Sequence, residues 1–150
     1  MRSNAIVLAI VLAIIAPLAA QTENGLNSNG DSVSYIGLSL SELLSRFGVP
    51  RSVYPVRGLE EWQDDVVFVY EEGDFYILKD RVWQVGLKSG LGIKTGDTWG
   101  TVTLVLGPRA ESRYNSIFYS IDEGSWPMML RCEFGSDGRV RAIFIYRTDL

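Results

Sequence analysis

Two stretches decide the fold: Gly37-Leu38-Ser39-Leu40-Ser41-Glu42-Leu43-Leu44-Ser45-Arg46-Phe47-Gly48-Val49-Pro50-Arg51 and Gly96-Asp97-Thr98-Trp99-Gly100-Thr101-Val102-Thr103-Leu104-Val105-Leu106-Gly107-Pro108-Arg109. Set in register at Gly48 and Gly107, they pair Gly37 with Gly96, Ser39 with Thr98, Leu43 with Val102 and Phe47 with Leu106. Repetition of this kind identifies an architecture before it identifies a reaction.

In the first stretch Ser39 stands as an N-cap, and Glu42 three residues later completes a capping box. Leu40, Leu43, Leu44 and Phe47 then fall at helical spacing. Gly48 offers a C-cap and Pro50 prevents the helix from resuming. In the second stretch Thr98 takes the cap. Trp99, Val102, Val105 and Leu106 form the stripe, although Gly100 and three threonines weaken the helix by intrinsic preference.

Each helix needs a surface to cover. Residues 66–70, 75–78 and 81–87 are rich in strand formers and separated by Glu71-Glu72-Gly73-Asp74 and Lys79-Asp80, which predicts a three-stranded meander. Residues 116–121, 128–134 and 139–146 predict a second, with Gly135-Ser136-Asp137-Gly138 as its last turn. The expected fold is therefore α+β: a tandem repeat of helix plus three-stranded antiparallel meander, forming one shared sheet with helices on one face. The repeats span residues 35–89 and 90–150, and the glycines of residues 86–96 serve as a linker.

The N-terminus predicts an address. Arg2, the apolar run from Ala5 to Ala16, Pro17 and the small residues before Gln21 follow the layout of a signal peptide over 1–20. The run is shorter than the roughly 20 residues a membrane span needs. Residues 21–34 are polar and predict a flexible leader. The expected location is periplasmic or secreted, with membrane association only through an uncleaved signal. One cysteine, Cys132, excludes an internal disulfide. Its phase with Met128, Leu130 and Phe134 predicts a buried thiol.

The pattern Gly-x-Ser/Thr, an apolar residue four further on, then Leu/Phe-Gly and Pro, followed by a meander, resembles the repeat of the secreted β-lactamase-inhibitor-protein family and of the SmpA/BamE outer-membrane-assembly lipoproteins. That resemblance covers residues 36–146. It implies an exported protein that works by contact, with helices on one face of a sheet and the other face open to a partner. The chain departs from both families: it has neither the lipid-bearing cysteine of the lipoproteins nor the cysteines for the inhibitors' disulfides.

Composition narrows the chemistry. The chain has no histidine, which removes the commonest general base and the Ser-His and Cys-His nucleophile pairs. Its formal net charge of −4 argues against nucleic-acid binding. No pattern points to catalytic residues, a metal set or a cofactor. The chain is therefore expected to be non-enzymatic, its partner another envelope or extracellular protein. Four Trp and seven Tyr supply contact chemistry. If Val82 and Val140 face the helices, strand parity sends Tyr76, Trp83, Met129, Arg131 and Arg141 to the open face as the partner-binding set. The alternative is a small-ligand or cation binder using the acidic loop 60–65.

Overall fold

The computed structural model describes residues 32–59 and 64–150. The signal segment 1–20, residues 21–31 of the leader and residues 60–63 of the acidic loop lie outside the described residues.

One eight-stranded antiparallel sheet dominates. Its strands are β1 (Ser52–Val56), β2 (Asp65–Val69), β3 (Asp74–Leu78), β4 (Arg81–Leu87), β7 (Glu111–Arg113), β8 (Ser116–Ile121), β9 (Met128–Phe134) and β10 (Val140–Arg147). Their order in space is β1-β2-β3-β4-β10-β9-β8-β7. A separate two-stranded ribbon joins β5 (Ser89–Gly90) to β6 (Ile93–Lys94). The described residues contain two α-helices, α1 (Leu40–Phe47) and α2 (Trp99–Leu106), of eight residues each.

This corrects the expected fold. The architecture is not a tandem of helix plus three-stranded meander but a single sheet closed at its centre by β4 pairing with β10. Two strands of this sheet were not anticipated, and both lie at its edges. β1 contains Pro55, which cannot donate to a ladder but is tolerated on an edge strand. β7 is three residues long and wholly exposed, with nothing apolar to mark it. Such a short, charged edge is a poor template for pairing with another sheet. The segment read as a linker instead forms the β5–β6 ribbon, whose Ile93 is buried in the core.

The helix termini follow the sequence closely. Glu42 N–H donates to Ser39 Oγ, and Ser39 N–H donates to Glu42 Oε2, which closes the capping box. Thr98 Oγ1 accepts from Thr101 N–H. Each cap is also tied to the sheet. Leu40 N–H donates to Asp80 C=O, Gly37 N–H to Val82 C=O and Gly96 N–H to Val140 C=O. The guanidinium of Arg81 donates to Gly37 C=O, and that of Arg139 to Gly96 C=O. Gly37 and Gly96 both have positive φ, +88° and +91°, where a side chain would be strained.

The core lies between helices and sheet. Leu43 and Val102 supply one fully buried side chain from each helix. They join Phe75, Val85, Leu130, Ile143 and Ile145 in one cluster. Around α1 four rings pack together: Phe47 with Phe75 at 5.3 Å, Tyr35 with Phe75 at 5.5 Å and Tyr70 with Phe75 at 5.6 Å. Val33, the first apolar residue described, is buried in the same core. The end of the leader is thus packed, contrary to the expectation of flexibility through residue 34.

Candidate interaction face

Register assigns every strand residue to a side, because directly paired residues in an antiparallel sheet point the same way. One row, Phe68–Phe75–Val85–Ile145–Leu130–Tyr119, crosses six strands on the helix side. Two rows occupy the opposite side. The first runs Tyr54–Val67–Tyr76–Gln84–Tyr146–Met129–Ser120. The second crosses the whole sheet as Ser52–Val69–Asp74–Gly86–Phe144–Arg131–Phe118–Glu111. Among the described residues, no helix or second sheet covers these two rows.

Two irregularities set the pattern. The ladder between β3 and β4 shifts between Tyr76 and Ile77, inserting Trp83. The ladder between β9 and β10 shifts at Arg141, between Val140 and Ala142. A bulge puts one extra residue on its strand and reverses the alternation beyond it. Val82 and Val85 therefore both face the core, while Trp83 and Gln84 do not. Val140, Ile143 and Ile145 likewise face the core, which turns Phe144 and Tyr146 outward.

Of the five residues expected on this face, Tyr76, Met129 and Arg131 stand in its rows. Trp83 lies over it from the bulge, its ring 6.4 Å from that of Tyr76 and edge-to-face. Its Nε1–H donates to Asp65 Oδ1 at 3.1 Å, which anchors the indole across β3. Arg141 is the exposed bulge residue at the other end. The sequence reading missed Tyr54, Phe118, Phe144 and Tyr146. Phe144 and Tyr146 alternate with Ile143 and Ile145, so the signal was present. Counting parity straight through from Val140 hides it, because the bulge at Arg141 reverses the phase.

Arg131 sits near the centre of the face. Its guanidinium lies 4.8 Å from the Phe144 ring centroid and 5.7 Å from that of Tyr146. Its Nε is 3.2 Å from Glu133 Oε1, a charge contact without an aligned hydrogen bond. Cation–π contact of this kind holds a planar cation flat against the sheet. Val67, fully buried although it belongs to an uncovered row, shows that the long side chains beside it close over part of the surface. Desolvation, followed by repulsion from Tyr54, Asp74 and Asp65, pushes the Tyr76 hydroxyl above its ordinary pKa. Desolvation raises the Asp65 carboxyl despite the Trp83 hydrogen bond.

Beside these rows, β4 and β10 part company beyond Leu87 and Ile143, the last pair of their ladder. The gap is a groove of about 330 Å³ lined by Asp74, Tyr76, Gly86, Lys88, Arg141 and Phe144, among others.

The acidic loop is engaged where it is described. Asp64 pairs with Arg57 and accepts from Gly58 N–H, and the Arg57 hydrogen bond holds its pKa down. Asp65 accepts from Trp83. Among the described residues, no group of three or more His, Cys, Asp or Glu side chains is placed to hold a metal ion. No helix among them is long and apolar enough to cross a membrane.

No protein-family profile matches the chain, and no curated protein sequence does. Its fold is similar to that of an extracellular protein containing an SCP domain from Bacillus anthracis, with a TM-score of 0.52 and 11% identity. The match covers 89% of this chain and 50% of that one, so the chain spans about half that protein's length. A DUF4309 family protein from Bacillus subtilis matches with a TM-score of 0.45 and 20% identity over 73% of this chain and 78% of that one. Neither is a β-lactamase inhibitor or a SmpA/BamE protein. At these identities the likeness concerns fold alone.

Proposed function

We propose that the chain is an exported, non-enzymatic module that binds another envelope or extracellular protein through the open face of its sheet, as an inhibitor or an assembly accessory. The observation that carries this reading is the composition of the two uncovered rows. Tyr54, Tyr76, Phe118, Met129, Arg131, Phe144 and Tyr146 are exposed or half-exposed on one side of a rigid sheet. Tyr, Met and Arg are the residue types enriched where protein surfaces meet. A sheet braced on its other face by a packed core presents them with little entropy left to lose on binding. The apolar run ahead of Gln21 supports export, and the Bacillus anthracis neighbour, itself extracellular, agrees with it.

Photo-cross-linking in the source cells tests the reading. Benzoylphenylalanine at position 146 should yield a discrete adduct with a second protein, while the same residue at position 104, on the helix side, should not. Adducts only from position 104, or none from positions 146, 118 and 83, would contradict it.

A further inference from the structure

The groove where β4 and β10 separate differs from the rest of the open face in its charge. Elsewhere on that face charges are answered within the chain. Arg131 lies against Glu133 and Arg113 against Glu111, and Asp65 takes the Trp83 N–H. Arg51, at the groove's outer wall, is paired with Glu71 at 2.7 Å. Arg141 and Lys88 are exposed and have no ion-pair partner among the described residues, and the groove's one carboxylate is Asp74. A chain of net charge −4 thus leaves one cation in excess in this groove of the open face.

The floor has a shape to match. Gly86 stands between Asp74 and Phe144 in the register. A Cβ at Gly86 would come within 3.3 Å of the Phe144 ring. The Phe144 ring therefore already packs against Gly86, and Phe144 and Tyr76 give the groove an apolar wall.

We infer that this groove receives an acidic, apolar segment of the partner protein, with an aromatic or aliphatic side chain against Phe144 and Tyr76 and an adjacent carboxylate between Arg141 and Lys88. The inference rests on the protein-binding reading above and specifies the partner's chemistry at one point of that face. An unpaired arginine that gains a carboxylate on binding contributes specificity and association rate as well as affinity. Asp74, on the facing wall, repels a carboxylate and so leaves the Arg141 and Lys88 side of the groove as the place for the partner's acid.

The test pans a random heptapeptide display library against the purified protein. The enriched peptides are then synthesised and titrated by fluorescence anisotropy. Enrichment of Asp or Glu next to an aromatic, Leu or Met residue is expected. Binding should weaken about tenfold in Arg141→Glu and fall as ionic strength rises. Lys79→Glu, an equal charge change at the β3–β4 turn, should leave binding unchanged, and thermal melting confirms that both variants fold. Peptides lacking acids, displaced by Phe144→Ala but indifferent to Arg141→Glu, would overturn the groove's assignment and keep the face as a binding surface. No enrichment above an unrelated control protein, or binding lost through Leu104→Ser instead, would overturn both.

Discussion

Ile145 and Tyr146 are neighbours in the chain and differ in almost everything else. Ile145 is fully buried, in a row that runs through Val85 and Leu130 under the helices. Tyr146 stands half-exposed in a row that nothing covers among the described residues. The same backbone ladder holds both. The contrast teaches that hydrogen bonding builds this sheet while one of its faces supplies most of the burial that stabilises it. The other face is free to be selected for contact.

The largest way to break that comparison is at the core. Phe75→Ala removes the ring on which Tyr35, Phe47 and Tyr70 all pack and should cost about 3–5 kcal/mol in chemical denaturation. A loss under about 1 kcal/mol would mean that the helix side is not the stabilising side. Gly37→Ala comes next. It combines a φ of +88° with a Cβ that would strike the Trp126 indole, and should cost more than about 1 kcal/mol.

The capping box sharpens the picture further. Ser39→Ala should cost about 1 kcal/mol. Glu42 adds a pH signature. The hydrogen bond from the Ser39 backbone, then that from the Ser39 side chain, lowers its pKa below the ordinary 4.5. A depressed folded-state pKa gives stability that is complete above pH 4.5 and lost as pH falls through the folded value. Glu42→Gln should therefore flatten the acid limb of the stability profile. An unchanged limb would remove Glu42 from the cap.

Cys132 reports on the core without disturbing it. Burial, then the nearby Asp97 charge, pushes its thiol up to about 12, so it stays protonated and shielded near neutral pH. Alkylation should occur only on unfolding; rapid labelling of the native protein would show that the β9 core side opens. The smallest effect is expected on the open face, where Met129→Ser should move stability by less than about 1 kcal/mol.

Much of this was legible in the residues, and what was not has definite causes. Ser39, Glu42 and Thr98 announced their caps because capping is a local interaction, complete within four residues. The long strands β3, β4, β8, β9 and β10 announced themselves by apolar alternation. β1 and β7 did not, because edge strands bury little and so carry no alternation. Residues 88–94 looked like a linker because the β5–β6 ribbon turns on Leu91 and Gly92, both at positive φ. On the face itself Tyr76, Met129 and Arg131 followed from simple parity. Phe144 and Tyr146 did not, because the bulge at Arg141 is a tertiary choice. It keeps Val140, Ile143 and Ile145 all in the core, and no local pattern demands it.

The central claim is that the face opposite the helices makes contact rather than stability. It is tested most directly by the cross-link yield from benzoylphenylalanine at position 118 in a Tyr146→Ser background, read beside the melting curves of Tyr146→Ser and Ile145→Ser. The yield should fall about tenfold while Tyr146→Ser melts close to the parent and Ile145→Ser melts far below it. An undiminished yield, or a Tyr146→Ser protein as unstable as Ile145→Ser, would contradict the account.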